Sequence, residues 1–207
     1  PPPAASPAAK PVAEPLGEAE FRAAFADLQS PKTASVKGAL LKFIKAGVDV
    51  KHQPAVAAAL GRLLSHKDEF VRMDAAKALQ TWATKQQIPQ LGRGTQESLF
   101  AIRHNCIRAL GQLQDAAAAE FIVKAWKKNT IVATPALIAS GPAAEPAVLK
   151  VLGSDDEDLE DNAFVVLKKI ATAASLPALK ERAGQISGYR KEMIEEIIKR
   201  LEQPRTK

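Results

Sequence analysis

In a chain of 207 residues, 46% are apolar but only 5% aromatic, so a core has to be built from Ala, Leu, Ile and Val, small side chains that let helix axes pack closely. Runs alternating β-branched and polar residues are missing, which excludes a sheet-based fold, and a single cysteine, Cys106, excludes an internal disulfide. The formal charge of +6 directs attention to acidic partners.

The first fifteen residues, PPPAASPAAKPVAEP, hold six prolines among alanines and read as an extended linker with nothing to bury. No initiator Met precedes them, and no signal sequence or run of 18 apolar residues follows. The chain therefore reads as a domain excised from a longer protein, with no membrane insertion of its own. The folded domain is expected over residues 16–203, with a tail at 204–207.

Helices follow in order from Leu16. Residues 18–28 carry Phe21, Phe25 and Leu28 at helical spacing. Ser30 and Pro31 supply an N-cap and a first-turn proline for a helix to about Ala46. Residues 54–64 pair with 69–83 across a turn at 65–68. A short, poorly formed segment at 88–94 precedes a helix over 95–113, for which Thr95 and Ser98 are candidate caps. Residues 120–128, 134–140, 146–152, 159–171, 176–183 and 190–201 complete the series, with Gly153, Gly184 and Gly188 as stops.

Two of these helices are copies of one another. In DEFVRMDAAKALQTW (68–82) and LFAIRHNCIRALGQL (99–113), Val71 falls on Ile102, Arg72 on Arg103, Ala75 on Cys106, Ala76 on Ile107, Ala78 on Ala109 and Leu79 on Leu110. Weaker copies hold Val36, Lys37, Leu40, Leu41, Phe43 and Ile44; then Leu159, Ala163, Phe164, Val166 and Leu167; then Tyr189, Arg190, Met193, Ile194 and Ile197. Residues 131–140 meet the frame only through Leu137 and Ile138. A period of about 30 residues is the length of helix, turn and helix. The chain thus reads as all-α, a right-handed α-solenoid of about six helix pairs.

Asp68, Val71, Arg72, Ala75, Ala76, Ala78 and Leu79 together resemble the second helix of a HEAT repeat, and Ile102, Arg103, Ala109, Leu110 and Gly111 repeat the pattern. GPAAEPAVLKVL (141–152) and ASLPALK (174–180) resemble first helices of the bacterial HEAT-like class, which open on a proline. The resemblance covers about residues 16–201. It implies a protein-binding scaffold whose second helices line a concave face. It also implies that the residue at the arginine position (Lys37, Arg72, Arg103 and Arg190) pairs with an acidic residue of a neighbouring repeat, with Asp68 a candidate partner. Two departures stand out: Glu160 occupies the arginine position, and the fourth unit lacks the Val-Arg pair.

Lys37, Arg72, Arg103 and Arg190 share one position and are expected to be structural. Lys42, Lys77 and Arg108 share another, on three consecutive second helices, where cations in register would attract an acidic ligand. The same pattern also suits any solvated amphipathic face. Met73, Asp74, His104, Asn105 and Gln112 are expected to complete that face. Residues 31–130 hold 16 Lys and Arg against 7 Asp and Glu, whereas 151–170 hold 2 against 6, so the basic excess is local. The acidic run DDEDLED (155–161) is expected to open a helix after Ser154, where the helix dipole favours carboxylates.

No metal spacing unites His52, His66 and His104, LGRG (91–94) is too short for a nucleotide loop, and Cys106 reads as a buried, inert thiol. Trp82, Trp126 and Tyr189, near helix ends, are expected to cover core edges. The leading expectation is a noncatalytic, monomeric interaction module without metal or cofactor. It would bind a protein partner through Lys42, Lys77, His104 and Arg108. The alternative is nucleic-acid binding on the same basic face, as in HEAT-like alkylpurine DNA glycosylases, although the acidic residue beside aromatics of such an enzyme is not evident. Kinship with HEAT-like lyases that attach bilin pigments rests on fold alone.

Overall fold

The computed structural model describes residues 13–203, in which the regular elements are all helical. They pack as successive pairs: α1 (Glu18–Asp27) on α2 (Thr33–Lys45), α3 (Gln53–Leu63) on α4 (Glu69–Trp82), and α5 (Ile88–Gly94) on α6 (Phe100–Gln112). The pairs α7 (Ala116–Trp126) with α8 (Thr130–Ser140), α9 (Glu145–Leu149) with α10 (Glu157–Ile170), and α11 (Leu176–Ala183) with α12 (Gly188–Glu202) continue the array. Every second helix also packs on the second helix of the next pair, so a single apolar core runs from Phe21 to Ile197.

Aspartates start three of these helices and tie them to the preceding repeat. Asp68 accepts from the amides of Phe70 (2.9 Å) and Val71 (3.1 Å) and pairs with Lys37 at 2.8 Å. Asp115 caps α7 at Ala117 and meets Lys85 at 2.9 Å, and Asp156 caps α10 at Leu159 and meets Lys127 at 2.7 Å. The acidic run after Ser154 is thus a helix start, as its position implied. At the other end of the chain, the carbonyl of Glu14 accepts from Gly47 at 2.9 Å.

Several boundaries differ from the sequence reading. Ser30 does not cap α2; its hydroxyl accepts from the amide of Lys32, and the helix begins at Thr33, with Lys32 at its N-cap. The segment at 88–94 is a well-formed helix opened by Pro89, and α6 begins only at Phe100. Thr95 is instead buried at the end of α5, where its hydroxyl donates to the carbonyl of Gly92 at 2.8 Å. The LGRG run is a packing device: a Cβ on Gly92 would lie 2.5 Å from the Phe121 ring, and one on Gly94 would lie 2.4 Å from Cys106 Sγ. Cys106 is fully buried, and desolvation pushes its thiol up to about 12.

The tryptophans are core residues, not edge covers. Trp82 stacks edge-on against Phe43 at 5.4 Å and donates to its carbonyl at 2.9 Å, while Trp126 donates to Thr134 Oγ1 at 2.9 Å. Tyr189 and Leu41, placed on core positions by the repeat frame, are exposed. They lie on the first and last second helices, which have a second-helix neighbour on one side only. The fourth repeat takes its anchor at Val132, two residues later than the position near 130 that the period of about 30 residues suggests: Val132 is buried and Ile131 is 92% exposed.

The stretch Thr130–Leu149 is long and apolar enough, by composition, to cross a bilayer, although Thr, Ser, Gly, Pro and Glu145 keep it from being an unbroken apolar run. Half of it is buried inside the array, and its backbone turns at Gly141 (φ 61°), dividing it between α8 and α9. Leu79 and Leu110 hold equivalent positions with no exposure at all. Leu79→Ala or Leu110→Ala is expected to lower stability by about 2–5 kcal/mol, because neighbouring helices cannot collapse into the cavity. A denaturant titration measures this directly, and a loss near zero would break the repeat alignment.

Candidate protein-binding face

The joints between repeats are built by the residues of the Arg72 position. Arg72 Nη1 donates to the carbonyls of His66 (2.9 Å) and Lys67 (3.2 Å) in its own turn, and its Nε lies 3.5 Å from Glu97 of the next repeat. Arg103 does the same with the carbonyls of Glu97 (2.8 Å) and Ser98 (2.5 Å), its Nε facing Asn129 Oδ1 at 3.4 Å. The row is structural, as expected: Asp68 partners Lys37 of the preceding repeat, and Glu97 of the following repeat serves Arg72. The planar fork of an arginine can brace a turn and reach a neighbour at once.

A different row points outward. Lys77, Arg108, Ile138, Val165 and Glu195 each directly follow a fully buried residue, namely Ala76, Ile107, Leu137, Phe164 and Ile194. With Lys42 ahead of them, the row runs from basic through apolar to acidic across the stacked second helices. Lys77 and Arg108 are exposed and make no ion pair among the described residues, while Lys42 meets Glu20 at 3.2 Å. Between α6 and α8 lies a groove of about 230 Å³ lined by Arg108, Gln112, Ile131, Pro135 and Ala139.

This chain is similar to known proteins in its centre and in its fold. The family described as HEAT repeats matches residues 56–140. That segment consists of HEAT repeats. Among solved structures, an engineered protein is similar at TM-score 0.55 and 18% identity, over 90% of this chain and 95% of its own. A second engineered protein gives 0.55 and 17%, over 89% and 59%. The complex of CpcE and CpcF of phycocyanin lyase from Nostoc sp. gives 0.48 and 19%, over 95% and 98%. No curated protein matches the chain in sequence. Identities this low, at TM-scores of 0.55 for the two engineered proteins, carry the helical fold alone and nothing finer.

Within the HEAT repeats, the predicted site residues have distinct surroundings. His104 lies edge-on to Phe100, ring centres 5.6 Å apart. Burial, then Arg108 and Arg103, lower its pKa against the opposing pull of Asn129, so at neutral pH it offers an uncharged ring. Asp74, on the same face, has its carboxyl raised by burial, while Lys77 and Lys37 pull it down. Asn105 is not free to receive a ligand: it accepts from Gln80 at 3.0 Å and donates to the carbonyl of Met73 at 3.3 Å, stitching α4 to α6.

The sequence reading missed the apolar members of this face. Phe70, Phe100 and Ile131 are 55%, 62% and 92% exposed. Phe70 and Ile131 directly precede the buried anchors Val71 and Val132, a position about 100° around the helix from the core. An apolar residue there was the available signal. The ammonium of Lys37 lies 5.1 Å from the centre of the Phe70 ring.

Proposed function

We propose that this HEAT-repeat array is a noncatalytic scaffold that binds a segment of a partner protein on its second-helix face, the concave one in solenoids of this kind. The observation that carries the reading is the graded row over α2 to α12, with free cations at Lys77 and Arg108 beside exposed Phe70, Phe100 and Ile131. Exposed aromatic and aliphatic side chains provide anchors, and flanking cations select for acidic residues and speed encounter. His104, neutral at pH 7, suits hydrogen bonding and ring contact more than charge attraction. The buried Cys106 thiol is unsuited to nucleophilic work.

Apolar side chains within a cationic row suit a peptide better than a phosphate backbone, which asks for an unbroken cationic track. The test is an affinity pull-down from host lysate with the wild type beside a Lys77→Glu and Arg108→Glu double variant, each with and without nuclease. Expected is a protein retained by the wild type and lost from the variant, whose melting temperature is unchanged because both side chains are exposed. Equal retention by both would remove this face from consideration, and material lost on nuclease treatment would put nucleic acid in its place.

A further inference from the structure

Away from the second-helix face, where α6 meets the end of α7, lies a cleft of about 460 Å³. Its size falls in the range of about 300–1,000 Å³ usual for ligand pockets. Arg103, Lys124, Lys127 and Lys128 line it together with Gln96 and Asn129, and its lining includes neither a carboxylate nor an aromatic side chain.

Cations at the end of a helix are ordinarily explained by its terminal carbonyls. Here Asn129 already serves them: its amide donates to the carbonyl of Trp126 at 2.8 Å, and its Nδ2 donates to that of Ala125 at 2.8 Å. Lys127 is held by Asp156, and Arg103 by its turn carbonyls. Lys124 and Lys128 are exposed and have no ion pair among the described residues. Asn129 itself is 6% exposed, and its side chain meets Arg103 Nε at 3.4 Å and the His104 ring. With Lys127 already paired, the like charges of Arg103, Lys124 and Lys128 around one hollow repel each other until an anion enters.

We propose that this cleft binds an acidic peptide segment, with neighbouring carboxylates on Lys124, Lys128 and Arg103 and the peptide backbone on the amides of Gln96 and Asn129. The site is separate from the second-helix face and does not rest on that face binding anything. A compact cluster of cations fits adjacent carboxylates, whereas a nucleic-acid strand calls for a track of cations and for stacking surfaces.

The test is fluorescence anisotropy of a fluorescein-labelled oligoglutamate peptide at low salt. It compares the wild type, a Lys124→Glu and Lys128→Glu double variant, and the Lys77→Glu and Arg108→Glu double variant. Expected is saturable binding by the wild type, weakened by about tenfold or more in the cleft variant and unchanged in the face variant. Circular dichroism and melting temperature should match the wild type throughout. Absence of binding, an unweakened cleft variant, or loss in the face variant alone would overturn the assignment. So would displacement of the probe by a single-stranded oligonucleotide more readily than by unlabelled oligoglutamate.

Discussion

Glu160→Ala is expected to destabilise the fold by about 3–5 kcal/mol, the usual consequence of removing one partner of a buried ion pair. The Glu160 side chain has no exposure, and its carboxylate accepts from Arg182 Nε at 2.7 Å and Nη2 at 2.9 Å. It also accepts from the amide of Gly153 at 2.7 Å, and Arg190 Nη1 lies 3.9 Å away. Removing it leaves the Arg182 fork and the Gly153 amide without their acceptor, while Arg190 keeps Asp161 at 2.8 Å. Glu160→Gln, which keeps the shape and removes the charge, should fall between the wild type and Glu160→Ala in a denaturant titration.

The same carboxylate predicts a pH dependence. Burial raises its pKa, but Arg182, the Gly153 amide and Arg190 together outweigh burial, so the net shift is downward. A group whose folded pKa is lowered binds fewer protons folded than unfolded, so its contribution is complete above the ordinary carboxylate range. It is lost as pH falls through the lowered folded value. The stability gap between wild type and Glu160→Gln should therefore be widest near neutrality and close on acidification. A gap that stays constant down to the acid transition would mean the carboxylate is not ionised in that pocket.

Gly111→Ala should cost about 1–3 kcal/mol, against the general rule that alanine improves a helix interior by about 1 kcal/mol. An added Cβ would lie 2.7 Å from the carbonyl oxygen of Ala136, 2.9 Å from its Cβ and 3.0 Å from its Cα. The obstacle is mostly backbone, so α6 and α8 would have to separate. Gly38, inside α2, meets nothing within 4 Å, and Gly38→Ala should raise stability by about 0.4–1 kcal/mol. In a protein this size each kcal/mol moves the melting temperature by about 2–4 °C, so the two substitutions should shift it in opposite directions. Equal shifts would contradict the close approach of α6 to α8.

The pairing of Gly111 with Ala136 shows what was and was not legible. Gly111 was readable as part of the Ala-Leu-Gly ending of a HEAT second helix, yet nothing in the chain placed Ala136 against it. The anchor of the fourth repeat was placed two residues early, because Ile131 and Val132 are both apolar and composition does not say which one is covered. Likewise Glu145, read only as a residue of a first helix, is buried and accepts from the amide of Thr172 (3.0 Å) and from the hydroxyls of Thr172 (2.9 Å) and Ser175. Its partners lie about 30 residues further along the chain, in the next repeat.

The sequence by itself determined the helical class, the period, the pairing of helices and most core positions, because burial along one helix is written in the local spacing of apolar residues. Tertiary structure alone decided which cations remain unpaired, where backbones touch, and that Arg182 and Arg190 meet a glutamate at the fifth joint. It also decided that four cations surround one cleft. Those outcomes depend on how far a side chain reaches across a packed interface between repeats, a distance that spacing along the chain does not encode.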